Sequence, residues 1–515
     1  MNWLRCVMGL LIGLLLVLVI RWHYTSRDLV TVREGVATEG KQPFETIASS
    51  LTTMGKASCS GIACHGNAKP ILDNPQAKEA RWQSSYVHWE GFDPHRNAYQ
   101  SLETKWAKTI LQRLSGTMLP LEHYKPETDQ RCLACHTNPS LAVANPIGVE
   151  KQPLSLLRAE GVSCEACHGN AAKWLNEHTT WSSPESRLRG YQQTNMVPLN
   201  EPGQRAMACA GCHVGSPEDS QRGFPIRDMN HDMIAAGHPR LFFEYTTFVK
   251  RLPPHWQEKD RSLPGSPAST SEAKAYAWFA GQLATIEAFL RLSSDRARRA
   301  QSAVLLPTKV AWPELAEFKC YACHQSVNDP TTVPQRSRLE LHPPGSLRWA
   351  LPLSSGLSKQ LLSIQHAPGL FTALEEMRVG KILHGEAAST QILQTAELLH
   401  DYRDRLSKLP MAPWQKALLE WVTTTNTDQA SWDWDEYATR YYALVHLLGT
   451  HDTLTRLKPE VKAQLESKLA ALADSLRFPA NSKEVFAGPS RWERHNTGEC
   501  YQAVIKVLKQ IVPGE

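Results

Sequence analysis

The chain carries no block of charge of one sign. Its 56 Lys and Arg are interspersed with 51 Asp and Glu, which gives a formal net charge of +5 over 515 residues. Nucleic-acid-binding domains usually cluster their basic residues on one face, so this distribution argues against a nucleic-acid partner. The length left after the N-terminal segment, about 490 residues, allows two to four domains.

Cysteines available for disulfide bonds are also scarce. Ten of the twelve cysteines fall in five short motifs, which leaves Cys6 and Cys500. Cys6 lies in an apolar run and Cys500 in a predicted helix, so each is expected to pack as a plain thiol. The sequence therefore offers no disulfide framework, and its cysteines serve another purpose.

Four Cys-x-x-Cys-His motifs and one stretched Cys-x4-Cys-His motif account for these ten cysteines. In such motifs the thiols form thioethers with haem vinyl groups, and the His binds iron. A zinc ribbon needs no His after every second Cys, and a redox dithiol needs only one pair. The motifs predict five covalently bound heme c groups in a multihaem c-type cytochrome. The attachment residues are Cys59, Cys64, Cys132, Cys135, Cys164, Cys167, Cys209, Cys212, Cys320 and Cys323. The proximal iron ligands are His65, His136, His168, His213 and His324.

The N-terminus predicts a membrane anchor. Residues 6–20 form an uninterrupted apolar run, preceded by Arg5 and followed by Arg21, Trp22 and Tyr24. The bulky residues after the run do not suit a signal-peptide cleavage site, which favours an uncleaved signal-anchor. Covalent haem attachment implies an extracytoplasmic location. We expect a single-pass protein of the inner (cytoplasmic) membrane whose haem domains face the periplasm or its equivalent.

The predicted fold is mainly α with extensive irregular structure: a multihaem cytochrome domain, a C-terminal α-helical domain and an N-terminal membrane helix. Its segments are a signal-anchor (1–24), a tether (25–50), a tetrahaem domain (51–250), a helical extension carrying the fifth motif (251–335) and a helical C-terminal domain (336–515).

Hydrophobic periodicity predicts particular helices. One covers Asn97 to Leu114, and another follows a capping box at residues 269–272 and ends in a solvated basic patch, Arg291 to Arg299. The C-terminal part is expected to form a bundle that packs on the haem part or docks a partner. Its predicted helices cover Ala396 to Leu406, Trp414 to Val422, Tyr437 to Leu448 and Val461 to Leu476.

Each iron also needs a candidate for its sixth ligand, and His is the usual one in low-potential sites. Methionines are alternatives that usually accompany higher potentials. The His candidates of the haem region are His88, His95, His123, His178, His231, His238 and His255. The Met alternatives are Met196, Met207, Met229 and Met233.

Two segments carry a family resemblance. Gly161 to Gly169 reads Gly-Val-Ser-Cys-Glu-Ala-Cys-His-Gly and is followed by His178, and residues 93–99 read Asp-Pro-His-Arg-Asn-Ala-Tyr. Over about residues 55–245 the chain resembles the tetrahaem cytochrome c-554 family. The stretched first motif, the fifth motif, the anchor and the helical C-terminal part depart from that family.

The resemblance implies a set of distal ligands. His178 would pair with the haem on His65, and His95 with the haem on His213. His231 or His238 would serve the haem on His168, and the iron on His136 would be five-coordinate. For the fifth haem, the remaining one of His231 and His238, or His342, is the candidate.

Three functions fit this pattern. The first is a membrane-anchored electron carrier of a respiratory chain, with redox proteins as partners. The second is an oxidoreductase acting on a small nitrogen or sulfur oxo-species at one open haem iron, with that small molecule as its ligand. The third is a subunit of a larger respiratory complex. We favour the carrier over a substrate-converting enzyme, and the lack of a Cys-x-x-Cys-Lys motif argues against the common pentahaem nitrite reductase.

Overall fold

The computed structural model describes the chain in separate stretches. They are residues 52–69, 81–143, 146, 153–239, 243–253, 270–302, 312–317, 368–378, 386–406, 412–424, 432, 434–477 and 493–511. All of them lie within one compact unit that covers Ala48–Glu515. The predicted anchor and tether, the fifth motif with Cys320, Cys323 and His324, and also His255 and His342 lie outside the described residues. No helix among the described stretches is long and apolar enough to cross a membrane.

Short helices and tight turns make up residues 52–253. The α-helices are α1 (Ser85–Phe92), α2 (Lys105–Ser115), α3 (Gln130–His136), α4 (Leu154–Ala159), α5 (Cys164–His168), α6 (Pro184–Thr194), α7 (Pro202–His213), α8 (His231–Ala236) and α9 (Tyr245–Arg251). Turns of 3₁₀ helix cover Lys56–Cys59, Arg81–Ser84, Pro94–Asn97, Gln100–Glu103, Leu121–His123, Pro126–Thr128, Pro139–Leu141, Ala171–Lys173 and Glu177–Thr180. In the described stretches β-structure is limited to two isolated bridges, Ser216 to Arg227 and Asp219 to Phe224.

Longer helices follow. They are α10 (Thr270–Ser302), α11 (Pro368–Arg378), α12 (Glu386–Leu406), α13 (Ala412–Thr423), α14 (Trp434–Thr450), α15 (Asp452–Thr455), α16 (Pro459–Ser475) and α17 (Arg494–Ile511), with a 3₁₀ turn at Leu315–Glu317. The mainly α class predicted from sequence is confirmed, and so are the four C-terminal periodic segments, which fall in α12, α13, α14 and α16.

The helix predicted over Asn97 to Leu114 is interrupted. The structure has a 3₁₀ turn at Gln100–Glu103 and begins α2 only at Lys105. Thr104 caps α2, because its hydroxyl accepts the Ala107 amide at 3.2 Å. An N-cap residue has non-helical backbone angles, so the helix is broken at Thr104. The apolar periodicity of the sequence continues across this break.

The basic end of α10 differs from the prediction. Arg296 is only 2% exposed and contacts Asp228 at 2.6 Å and Glu317 at 3.2 Å. A buried guanidinium requires such counter-charges, and they come from segments distant in sequence. The prediction of a solvated helix end is therefore wrong for Arg296, although the neighbouring Arg298 remains largely exposed.

The main hydrophobic core joins the C-terminal helices to a motif-bearing helix. Ala206 and Ala210 of α7 belong to the same buried cluster as Phe279 of α10, Leu399 of α12 and Leu418 of α13. Small residues on α7 allow α10 to approach the fourth motif closely. The C-terminal helices thus pack against the haem-motif part, and the predicted boundaries near residues 250 and 335 stay predictions.

Candidate haem-binding site

Each regular motif described by the structure ends a helix. The second, third and fourth motifs close α3, α5 and α7, each of which ends at the motif His. Residues three positions apart share one face of a helix, so the two cysteines of each motif point the same way. The His follows at the helix end, where the chain turns out of the helix.

The stretched first motif reaches a similar arrangement through a turn. The Cys64 amide donates to the Gly61 carbonyl at 2.9 Å, and the His65 amide donates to the Cys59 carbonyl at 3.3 Å. Gly66 lies against this loop so closely that a Cβ there would be 1.9 Å from the Ser60 carbonyl oxygen. The extra residues are therefore absorbed in a compact turn that brings Cys59 and His65 together.

In three pairs of histidines, the two imidazole rings lie at nearly the same distance from each other. The ring centroids are 6.2 Å apart for His65 and His178, 6.1 Å for His95 and His213, and 6.4 Å for His136 and His238. An imidazole nitrogen binds a metal at about 2.0–2.1 Å, so two rings on opposite sides of one iron have centroids about 6 Å apart. The pairs therefore fit a haem iron with two axial His ligands.

Hydrogen bonds at Nδ1 orient these rings. The Nδ1 of His65 lies 2.6 Å from the Trp82 carbonyl, and that of His136 lies 2.8 Å from the Ala98 carbonyl. Nδ1 of each distal candidate likewise contacts an oxygen. When Nδ1–H donates, the lone pair is on Nε2, which is then the nitrogen free to bind iron. The distal contacts are His95 to Asp93 Oδ1 at 2.9 Å, His178 to the Trp174 carbonyl at 3.0 Å and His238 to the Pro239 carbonyl at 2.9 Å.

Burial keeps several of these rings neutral. It lowers the pKa of His213 to about 4, and it also lowers the pKa of His136 and of His238. Burial acts in the same direction at His95, but the hydrogen bond and charge of Asp93 outweigh it and raise the pKa. Only a neutral imidazole has a lone pair for a metal, so the lowered values suit ligands.

The motif cysteines lie close together in pairs from different motifs. Cys59 lies close enough to Cys164, and Cys135 close enough to Cys212, for each thiol to shift the pKa of the other. Cys167 is near enough to Cys209 for their charges to interact. The first motif is therefore next to the third, the third next to the fourth, and the fourth next to the second.

Residues 63–169, from within the first motif to the end of the third, match the model of the family described as cytochrome c554 and c-prime. This part of the chain is similar to the cytochrome c554 family. The family carries covalently bound haem c and has a haem-based electron-transfer role. No curated protein and no solved structure matches the chain.

The structure differs from the cytochrome c554 resemblance at the second motif. The resemblance implies an open iron on His136, with His231 or His238 serving His168. Instead, His238 faces His136, because the chain reverses at Gly237 directly after α8, and α8 packs on α2. Gly237 has φ +115°, and Arg113 of α2 donates to the Ala236 carbonyl at 3.1 Å. Sequence order alone does not show this docking.

His231 and His168 have different surroundings from those expected. The His231 amide donates to Glu314 Oε1 at 3.0 Å, which places the start of α8 beside the segment leading to the fifth motif. Trp174 lies 6.5 Å from His168 and 5.5 Å from His178, measured between ring centroids. This Trp thus stands between the distal side of the first site and the proximal side of the third.

Several supporting residues give no signal in the sequence. Phe243 stacks on His213 at 5.5 Å between centroids, and Phe248 meets the same ring edge-on at 4.9 Å. Glu165, inside the third motif, is buried and accepts the amides of Gly55 at 2.8 Å and Ala171 at 2.6 Å. The roles of these residues depend on tertiary contacts. The position of Glu165 inside a motif is the one sequence feature that sets any of them apart.

Proposed function

We propose that this protein is a membrane-anchored, periplasmic cytochrome with five covalent haem c groups that transfers electrons in a respiratory chain. The observation that carries the proposal is the three facing His pairs, with centroids 6.1–6.4 Å apart. Bound haem supplies a one-electron couple, and an iron held by two His ligands needs no ligand exchange when its charge changes. The chain's part is to hold both rings of each pair in place.

The cysteine contacts support a continuous route. With Cys59 near Cys164, Cys167 near Cys209, and Cys212 near Cys135, the attachment points run in the order first, third, fourth, second motif. A series of neighbouring attachment points suits transfer between two separate partners, one at each end. The partners themselves are redox proteins of unknown identity.

We assign the fifth haem a position next to His231. With His238 facing His136, His231 is the remaining candidate on α8, and its amide is held by Glu314, six residues before Cys320. Arg296 of α10 further connects Asp228, three residues before His231, to Glu317. These contacts support His231 rather than His342 as the distal ligand of the haem on His324.

The alternative, an oxidoreductase with an open iron, loses its argument at the second motif, and the iron that neither His231 nor His238 serves is now the one on His168. It required a vacant position opposite His136, and the approach of His238 supports a second ligand there instead. No contact among the described residues favours a substrate pocket at another motif. The electron carrier is therefore the proposal.

The test is low-temperature electron paramagnetic resonance of the oxidised protein, quantified against covalent haem counted by mass spectrometry. We expect five haems, with His238→Ala converting one low-spin iron to high-spin and leaving the haem count unchanged. The matched control is His123→Ala, an exposed His of the same region, which should leave the spectrum unchanged. An unaltered low-spin count in His238→Ala would overturn the assignment, and substoichiometric haem in the wild type would overturn the count of five.

The membrane anchor is tested separately by fractionation. We expect the full chain in the membrane fraction, released by detergent and not by high salt. Replacing residues 1–24 with a cleavable signal peptide should move the haem-loaded protein to the soluble periplasmic fraction. Recovery of the unaltered chain in the soluble fraction would contradict the anchor.

A further inference from the structure

Arg227 is a buried cation beside two haem-attachment motifs. Arg227 is only 8% exposed, and its Nη1 lies 3.6 Å from Cys212 Sγ. Its charge also acts on the Cys135 thiol, which lies close to Cys212. Gly211, between the two cysteines of the fourth motif, makes room for it, since a Cβ there would be 3.0 Å from Nη1. The guanidinium therefore lies where the attachment points of the second and fourth motifs meet.

This guanidinium has no carboxylate partner in the part of the chain that the structure describes. Nη2 donates to Ser216 Oγ at 2.8 Å, the group stacks over Phe224 at 5.2 Å, and Nε is buried without a hydrogen-bond partner. The adjacent carboxylate, Asp228, is instead bound by Arg296 at 2.6 Å and Arg299 at 2.9 Å. Burying an uncompensated charge is costly, so its retention at this point calls for a reason.

We propose that Arg227 raises the reduction potentials of the haems held by the second and fourth motifs. The inference rests on the haem loading proposed above. Reduction adds one electron to ferric iron and gives ferrous iron, which lowers the charge of that centre by one. A fixed positive charge nearby favours the reduced form, and a buried site screens this effect less than water does.

The size of the effect follows from the environment. For a buried charge within about 10 Å of an iron, we expect roughly a tenfold change in the ratio of reduced to oxidised haem at a given potential. For a one-electron couple, tenfold corresponds to about 59 mV. The first motif, whose Cys59 lies near Cys164 instead, should be affected much less.

The experiment is a potentiometric titration of the intact protein with dithionite and mediators, followed by electron paramagnetic resonance. Signals are assigned through the His238→Ala, His95→Ala and His178→Ala variants. Arg227→Gln should lower the reduction potentials of the haems on the second and fourth motifs by about 59 mV. Arg227→Lys keeps the positive charge, so it should lower these two potentials much less. The matched control is Arg222→Gln, which removes an exposed Arg that stacks on the same Phe224 ring and pairs with Asp219.

A second variant keeps the test independent of folding at Arg227. Ser216→Asp places a carboxylate where Nη2 already donates, so it neutralises the cation without removing it, and it should lower the same two potentials. The inference would be overturned if the potentials were unchanged in both Arg227→Gln and Ser216→Asp, or if Arg227→Lys lowered them as much as Arg227→Gln does. It would also be overturned if the potentials of all haems shifted equally. The titration measures equilibrium potentials. Its result can therefore be interpreted even if a turnover assay shows that the protein is not an electron carrier.

Discussion

Replacing Glu287 by Gln should destabilise the packing of α10 against α12. Glu287 and Arg403 have side chains only 2% and 1% exposed, and Arg403 Nε donates to Glu287 Oε2 at 3.0 Å. Breaking a buried ion pair by removing one partner typically costs 3–5 kcal/mol, because the other charge stays buried. The amide keeps the volume and one acceptor, so we expect a loss of about 3 kcal/mol, the low end of that range.

The other partners of Glu287 should add little to this loss. Arg291 at 2.9 Å and His400 at 3.1 Å have side chains 29% and 39% exposed, so water can replace part of the lost contact. The assay is urea unfolding followed by far-ultraviolet circular dichroism, comparing unfolding free energies at neutral pH. Glu466→Gln is the control: it removes the same charge from an exposed helical pair with Lys462 at 4.0 Å and should cost under about 0.5 kcal/mol.

Two results would refute this reasoning. One is an unfolding free energy of Glu287→Gln within about 0.5 kcal/mol of the wild type, which would mean that water or Asp404, whose Oδ1 lies 3.4 Å from Arg403 Nη2, compensates the Arg403 charge. The other concerns the double variant Glu287→Leu with Arg403→Met, which removes both charges. It should recover much of the stability lost in Glu287→Gln, and a larger loss than in the single variant would contradict a cost due to an unpaired charge.

Other predictions concern the ligands, their supports and pH. His178→Ala should convert one low-spin haem to high-spin at unchanged haem content, as measured by electron paramagnetic resonance; an unchanged spin count would refute the pairing with His65. Gly161→Ala should disturb the proposed ligand His95, since Gly161 has φ +72° and an added Cβ would lie 2.7 Å from the His95 carbonyl oxygen; the low-spin signal lost in His95→Ala should weaken, and an intact signal would refute it. Glu165→Gln should cost about 1–3 kcal/mol in urea unfolding, because buried backbone amides lose a charged acceptor, and wild-type stability would contradict this. The hydrogen bond to Glu287 raises the pKa of His400, so His400→Gln should be destabilising below about pH 6.5 and should lose that effect as the pH rises through the raised pKa. Unfolding at pH 5.5 and pH 9 checks this, and an equal difference at both would refute it.

The parts of the site predicted most firmly are those fixed by neighbours in the chain. A Cys three residues before another Cys, with His next, has the same local geometry wherever it occurs, so the motif residues are readable without the fold. The C-terminal helices are similar, since an apolar stripe at helical spacing can be recognised within one segment. The break at Thr104 was missed because the apolar spacing continues through it.

Contacts between distant segments were harder to predict. His65 faces His178 and His213 faces His95, as the family resemblance implies, but the sequence contains no measure of the distance between them. His238 shows the limit: the packing of α8 on α2 and the turn at Gly237 bring it to His136 rather than to His168.

The sequence by itself determined the motif residues that are predicted to attach haem, the His that follows each Cys pair, and the helical character of the residues that the structure describes. Those properties depend on residues a few positions apart, where covalent geometry restricts the chain strongly. Tertiary structure alone decided which imidazoles face each other, which motifs adjoin, and that Arg227 and Arg296 are buried. These depend on how separate helices pack, and a charged side chain looks the same in sequence whether water or a distant carboxylate surrounds it.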